Sequence, residues 1–377
     1  MKKAGLLLLS GALVFAACQK DPVPSKDATL DGKTVDVSAI STSAHKLFVL
    51  NEGGMGANNA TLDFLRFEDG KYITGSFKKM NPDIPSGLGD VGNDIAIHGD
   101  EAWIVVNNSG IVEVISAQDE TEIAAIQVPT PRNVAFDGNY AYVTSWAGAY
   151  IDYKTYESSN PKGQVYRINL NTKKVEGTVE VGLQPEGLAV SGGKLYVANS
   201  GGISSQIAPD YAYDNTLSVI DTKTFTVEKT VVVQVNLKYV YAASDGSIYV
   251  TSLGNYGDIP SALYQVNGST VKLVKEHVSV SSLCGDTVYC VGTETEFDFK
   301  VKTHEYSACS VNSGSKTELS WTFDVTAPYG LMVLDPNTYF ISDAGNYFDP
   351  GTVSFYSKGS KIWSVTAGVC PGHFALY

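Results

Sequence analysis

The chain of 377 residues is rich in Gly (36) and Tyr (22), has only 18 % charged residues and carries a formal charge of −13. This composition suits many short strands joined by turns, and the length admits one large closed β architecture as readily as two domains. The acidic balance, with no basic cluster in the mature part, argues against nucleic acid or an anionic membrane surface as partner.

Lys2 and Lys3 precede an apolar run from Leu6 to Ala17, which ends at Ala16-Ala17-Cys18. A charged start, a short apolar stretch and small residues at the cleavage point predict a secretory signal over residues 1–17. The run is shorter than the ~20 residues that cross a bilayer as a helix. Cys18 directly after the small pair resembles a lipobox, so its thiol is the expected lipidation site and the only membrane attachment. Gln19-Lys20-Asp21 loosely resembles the surface-export signal of Bacteroidetes lipoproteins, which implies an outer-membrane anchor and exposure at the cell surface. Residues 18–45 hold Pro22 and Pro24 and show no apolar period, so they read as the lipidated cysteine and a flexible tether.

From Lys46 onward one pattern recurs, and such repeats decide architecture. Its clearest copy is Pro185-Glu186-Gly187-Leu188-Ala189-Val190, a Gly turn, then Lys194-Leu195-Tyr196-Val197-Ala198-Asn199. Each copy is a pair of β-branched or aromatic runs across a tight turn, which reads as a hairpin. A second hairpin follows in most copies, as in Thr216–Asp221 with Thr226–Val231. Two hairpins make a four-stranded blade. The anchors Ile95, Val134, Leu188, Val240, Leu283 and Leu331 are spaced by 39, 54, 52, 43 and 48 residues, close to blade length. The remaining copy is split: Pro371–Tyr377 is a first strand lacking a second, and Lys46–Asn51 is a second strand lacking a first. Their union predicts an all-β, seven-bladed β-propeller over residues 46–377, closed by the C-terminal strand joining the N-terminal blade. Closure leaves no blade with an uncovered face and only short edges at the rim.

In an up-and-down blade, the start of the first strand, the second-to-third loop and the end of the fourth strand share one face. The long second-to-third loops, 147–163 in blade three and 201–214 in blade four, mark that face as functional. Trp146, Tyr150, Tyr153 and Tyr156 fall in the blade-three loop region, and Tyr211 and Tyr213 in that of blade four. Blade five adds Asn255 and Tyr256, blade seven Asn346, Tyr347 and Phe348, and seven of the 22 tyrosines lie in such loops. Tyr and Trp offer broad, rigid contact with a polar tip, although such rings also pack on one another to hold long loops down. Asn93, Arg132, Glu186, Lys238, Tyr329 and His373 lead the first strands and are expected around the channel mouth, each readable as a solvated rim group.

Catalytic signatures are absent from the sequence: it has no nucleophile elbow, no His-Glu-x-x-His and no phosphate-cradling Gly loop. Propeller lactonases place metal-binding carboxylates and Asn around the channel. Glu52, Asn93, Asp94 and Glu186 are the residues here that such a reading would use, and it is the weaker one. Cys284, Cys290, Cys309 and Cys370 match no zinc spacing and read equally as buried thiols or one local bridge.

The Pro-Glu-Gly-Leu-Ala-Val and Leu-Tyr-Val-Ala-Asn repeats resemble the YncE-like propellers over nearly all of residues 46–377. Joined with the lipoprotein signal, the opening Leu47-Phe48-Val49-Leu50-Asn51-Glu52-Gly53 strand and the aromatic insertions, they resemble the BtuG-type surface lipoproteins of gut Bacteroidetes. Those proteins capture cobalamin and pass it to a TonB-dependent outer-membrane transporter. The resemblance implies a non-enzymatic protein with a cobalamin or related corrinoid as bound ligand, not as catalyst, and such a transporter as partner. Trp146, Tyr150, Tyr153, Tyr211, Tyr213, Tyr256, Tyr347 and Phe348 would supply contact, with Arg132, Asn255, Asn346 and His373 orienting the ligand's amides or metal. A glycan-binding lipoprotein and a metal-dependent hydrolase or lyase remain as alternatives.

Overall fold

The computed structural model describes residues 30–148, 161–202, 212–293 and 306–377. The expected signal peptide and Cys18 lie outside them. Seven antiparallel sheets form the ring, six of four strands and one of five. Blade two begins with Gly92–His98, blade three with Pro131–Asp137, blade four with Pro185–Ser191 and blade five with Leu237–Ala242. Blades six and seven begin with Val280–Cys284 and Pro328–Asp335. A short helix, Ser76–Met80, lies between blades one and two. The seven-bladed β-propeller expected from the repeats is therefore the observed fold.

Local sequence explains the blades. In blade four, Ser191 pairs with Lys194 across Gly192 and Gly193, whose φ of 57° and 72° fit the type I′ turn that joins right-twisted strands. The third strand Thr216–Asp221 is mostly buried, whereas the outer strand Thr226–Val232 faces solvent except at Val231. Apolar side chains gather between neighbouring blades. Tyr142, Val165 and Val181 of blade three, for example, pack on Leu188, Leu195 and Ile220 of blade four. A cluster of this kind fills every seam of the ring. Cys290 and Cys309 are opposite neighbours in blade six, and all four described cysteines are free thiols.

The closing strand Pro371–Leu376 pairs with Lys46–Asn51, setting Val49 opposite Phe374 and Phe48 opposite Ala375. A second device clasps the same seam. Residues 30–45, read from the sequence as the end of a flexible tether, instead lie against the propeller. Lys33–Thr34 adds a fifth strand to blade one. Val35, Val37 and Ile40 pack into the cluster between blades seven and one. The Trp363 indole of blade seven donates to the Asp36 carbonyl at 2.7 Å. Three apolar residues in a polar stretch are too few to show a period, but they suffice to bury this strap.

Candidate functional site

The ring places the starts of the innermost strands around the channel mouth, and the described second-to-third turns at 254–258 and 345–349 lie on the same side. The mouth is not a solvated rim. Arg132 donates from Nε and Nη2 to Glu186 Oε2 at 3.1 and 2.9 Å, and Lys238 Nζ reaches the same oxygen at 2.9 Å. Across the channel, Tyr329 donates its hydroxyl to Glu52 Oε2 at 2.7 Å, and His373 Nε2 lies 3.0 Å from Glu52 Oε1. Asn93 donates Nδ2 to the Arg132 carbonyl, and Asp94 Oδ2 accepts the Val134 amide. Each of these side chains is largely removed from water, so each needs a partner.

Charge follows partnership here. Burial alone would push the Glu186 carboxyl up, but the Arg132 and Lys238 cations outweigh it and hold the group below the ordinary carboxylate range. Glu52 is likewise pushed up by burial and pulled further down by His373, the Tyr329 hydroxyl and Lys238. Asp94 goes the other way: burial raises it, and His373 and two backbone amides only partly compensate. Tyr239 stacks on Tyr241 at 6.3 Å between ring centroids, and burial drives both phenols upward.

Arg132 and His373 were expected to orient a ligand. The structure commits Arg132 to Glu186 and His373 to Glu52, so both serve first as parts of the floor. Arg132 also covers the buried Trp146 ring, with 4.4 Å from guanidinium carbon to ring centroid. Trp146, expected as a contact surface, is therefore a support under Arg132 that also lines a small cavity.

Asn255 and Asn346, expected beside them, are engaged within their own turns. Asn255 Oδ1 accepts the amides of Gly257 and Ile259, and its Nδ2 donates to Asp258. Asn346 Oδ1 accepts the amides of Phe348 and Asp349, and its Nδ2 donates to Asp349. Both amides shape their own turns, as Asn does wherever its side chain reaches nearby backbone. The two turns share the sequence Gly-Asn-Tyr-x-Asp, at 254–258 and 345–349. This match was readable in the sequence and signals one structural device used twice. Each turn puts its tyrosine in the left-handed region, with φ of 54° at Tyr256 and 68° at Tyr347. A non-Gly residue there is strained.

These turns hold the aromatic side chains outward. Tyr256 is 67 % exposed, Tyr347 37 % and Phe348 86 %. Tyr347 meets Tyr329 edge-on at 5.7 Å, which connects the exposed group to the floor through Glu52. Tyr213 is partly buried, while Tyr150, Tyr153 and Tyr211 lie outside the described residues. A cavity of about 180 Å³ opens between blades three, four and five, lined by Arg132, Trp146, Glu186, Asn236, Lys238 and Tyr256 among others. Sequence reasoning placed Glu186 and Lys238 at the mouth but missed their joint role; Asn236, at the end of blade four's link to blade five, carried no visible signal. Among the described residues, no group of three His, Cys, Asp or Glu side chains is placed to hold a metal ion.

No family profile and no curated protein matches the chain. Solved structures do. Hydrazine synthase of Kuenenia stuttgartiensis aligns at 15 % identity and TM-score 0.57 over 75 % of this chain and 88 % of that one. A provisionally assigned 6-phosphogluconolactonase of Bacteroides fragilis aligns at 9 % identity and TM-score 0.59 over 90 % and 99 %. A Bacteroides caccae protein of unknown function aligns at 11 % and TM-score 0.50 over 89 % and 99 %. At such identities the likeness concerns the propeller fold alone.

Proposed function

We propose that this protein is a non-enzymatic surface lipoprotein that captures a cobalamin-like corrinoid on its loop-bearing face for delivery to a TonB-dependent outer-membrane transporter. The observation that carries the reading is the set Tyr256, Tyr347 and Phe348, exposed on one face and held there by two matching Asn-anchored turns. Large apolar rings left in water by a protein that strains its backbone to place them point to a contact surface. A corrin offers broad apolar faces to such rings. Its amide rim suits a floor whose charges are already paired, because a neutral ligand need not displace Arg132 or Lys238 from Glu186. Covering three rings at roughly 25 cal/mol per Å² supplies several kcal/mol before the entropy of association is met.

Calorimetric titration of the purified propeller with cyanocobalamin tests this reading. A saturable exotherm or endotherm at micromolar concentration or tighter supports it. Absence of heat and of any shift in thermal midpoint, with binding of an oligosaccharide instead, would transfer the same face to glycan capture. Ester hydrolysis dependent on an added divalent cation would point to the hydrolase alternative.

A further inference from the structure

The cavity between blades three, four and five holds a recognition element that the exposed aromatic group does not supply. Its volume of about 180 Å³ is below the roughly 300–1,000 Å³ of pockets that enclose a drug-sized molecule. It cannot admit a macrocycle, but it admits one short side arm. Its polar chemistry is specific. Glu186 Oε2 receives three donors, two from Arg132 and one from Lys238. Glu186 Oε1 accepts no hydrogen bond from any described residue, although the side chain is only 6 % exposed, and this oxygen is not sealed from solvent. Lys238 has three donors and spends one of them on Glu186. An open acceptor thus stands beside open donors, with the Trp146 and Tyr256 rings forming part of the wall.

A neutral group that carries a donor and an acceptor on neighbouring atoms satisfies both at once. A carboxylate would meet Lys238 but oppose Glu186, and an ammonium would do the reverse. We propose that this cavity is a carboxamide subsite, in which the amide oxygen accepts from Lys238 Nζ and the amide N–H donates to Glu186 Oε1. The inference rests on the corrinoid reading for the source of the arm, since a corrin rim bears several such amides, but the subsite chemistry stands on these side chains alone. It assigns the selection of one particular arm to blades three to five and leaves the macrocycle faces to the exposed rings.

Altering the ligand leaves the protein intact, so the test is made there. Cyanocobalamin and its monocarboxylic acids, each with one amide hydrolysed, are titrated by calorimetry at pH 7. One monoacid should bind at least about 30-fold more weakly than the parent, because its carboxylate faces Glu186, while the others stay within a few-fold. Equal binding of all the monoacids, or tighter binding of one, overturns the subsite. Crystals of the propeller soaked in propionamide provide a second measurement independent of corrinoids. Amide density bridging Glu186 and Lys238 supports the subsite even if cyanocobalamin does not bind, in which case only the corrinoid reading falls. A cavity that stays empty with propionamide, or fills only with methyl glucoside, overturns the carboxamide assignment.

Discussion

The channel mouth and the two Gly-Asn-Tyr-x-Asp turns lie on the same face, yet they use polar side chains in opposite ways. At the mouth, Arg132 and Lys238 both bond to Glu186 from neighbouring blades, and Tyr329 of blade seven and His373 of the closing strand both meet Glu52. In the turns, Asn255 and Asn346 bond to their own loop backbone. The first arrangement ties blades together and yields a floor with little spare charge. The second fixes the direction in which a loop presents its ring. A binding face needs both, because a rigid ring on a yielding floor loses the benefit of preorganisation.

Removing the centre of the floor should produce the largest effect. Glu186→Ala leaves Arg132 and Lys238 buried without their shared anion, and breaking such a pair typically costs about 3–5 kcal/mol. A guanidinium denaturation series should show the midpoint falling by that equivalent. A change below 1 kcal/mol would mean that the floor is as solvated as an ordinary rim. The same floor sets an acid limit. The Glu52 and Glu186 carboxyls sit below their ordinary value of 4.5 in the folded protein, so they bind protons less readily than in the unfolded chain. Their stabilisation is fully present above that value and is lost as pH falls through the lower folded values. Thermal midpoints measured from pH 6 to pH 3 should fall below about pH 4.5, and Glu52→Gln should flatten the slope.

The turns should respond in affinity before stability. Phe348→Ala removes the most exposed ring of the group. If that ring covers a bound corrinoid, affinity should fall by about 2 kcal/mol, near 30-fold, with the thermal midpoint unchanged. Asn346→Ala deletes the acceptor for the Phe348 and Asp349 amides and should cost about 1 kcal/mol of stability while loosening the same ring. The smallest effect has the opposite sign. Tyr256→Gly relieves a left-handed residue at φ 54° and should raise stability by up to about 1 kcal/mol while weakening ligand binding. A variant that loses stability instead would show that the Tyr256 ring is structural.

The blades were legible because their cause is local. Alternating apolar residues, Gly turns and the divided copy at the two termini sufficed for seven blades and for the pairing of Lys46–Asn51 with Pro371–Leu376. The loop-bearing face was legible too, since it follows from strand direction. The partners that Arg132, His373, Trp146, Asn255 and Asn346 take within the protein were not. Asn255 and Asn346 read as ligand amides because a sequence does not display the backbone amides that a turn directs at them. Residues 30–45 read as tether because Val35, Val37 and Ile40 acquire a hydrophobic partner only once blades seven and one meet.

Strand order, turn positions and blade number were thus determined by the chain's own period, which acts over a few residues. Tertiary structure alone decided the charge pairing at the mouth: Arg132 and Glu186 are 54 positions apart, and Glu52 and His373 are 321 apart. The first pair meets only when blades three and four pack and the second only when the ring closes, and burial then makes the choice of partner decisive.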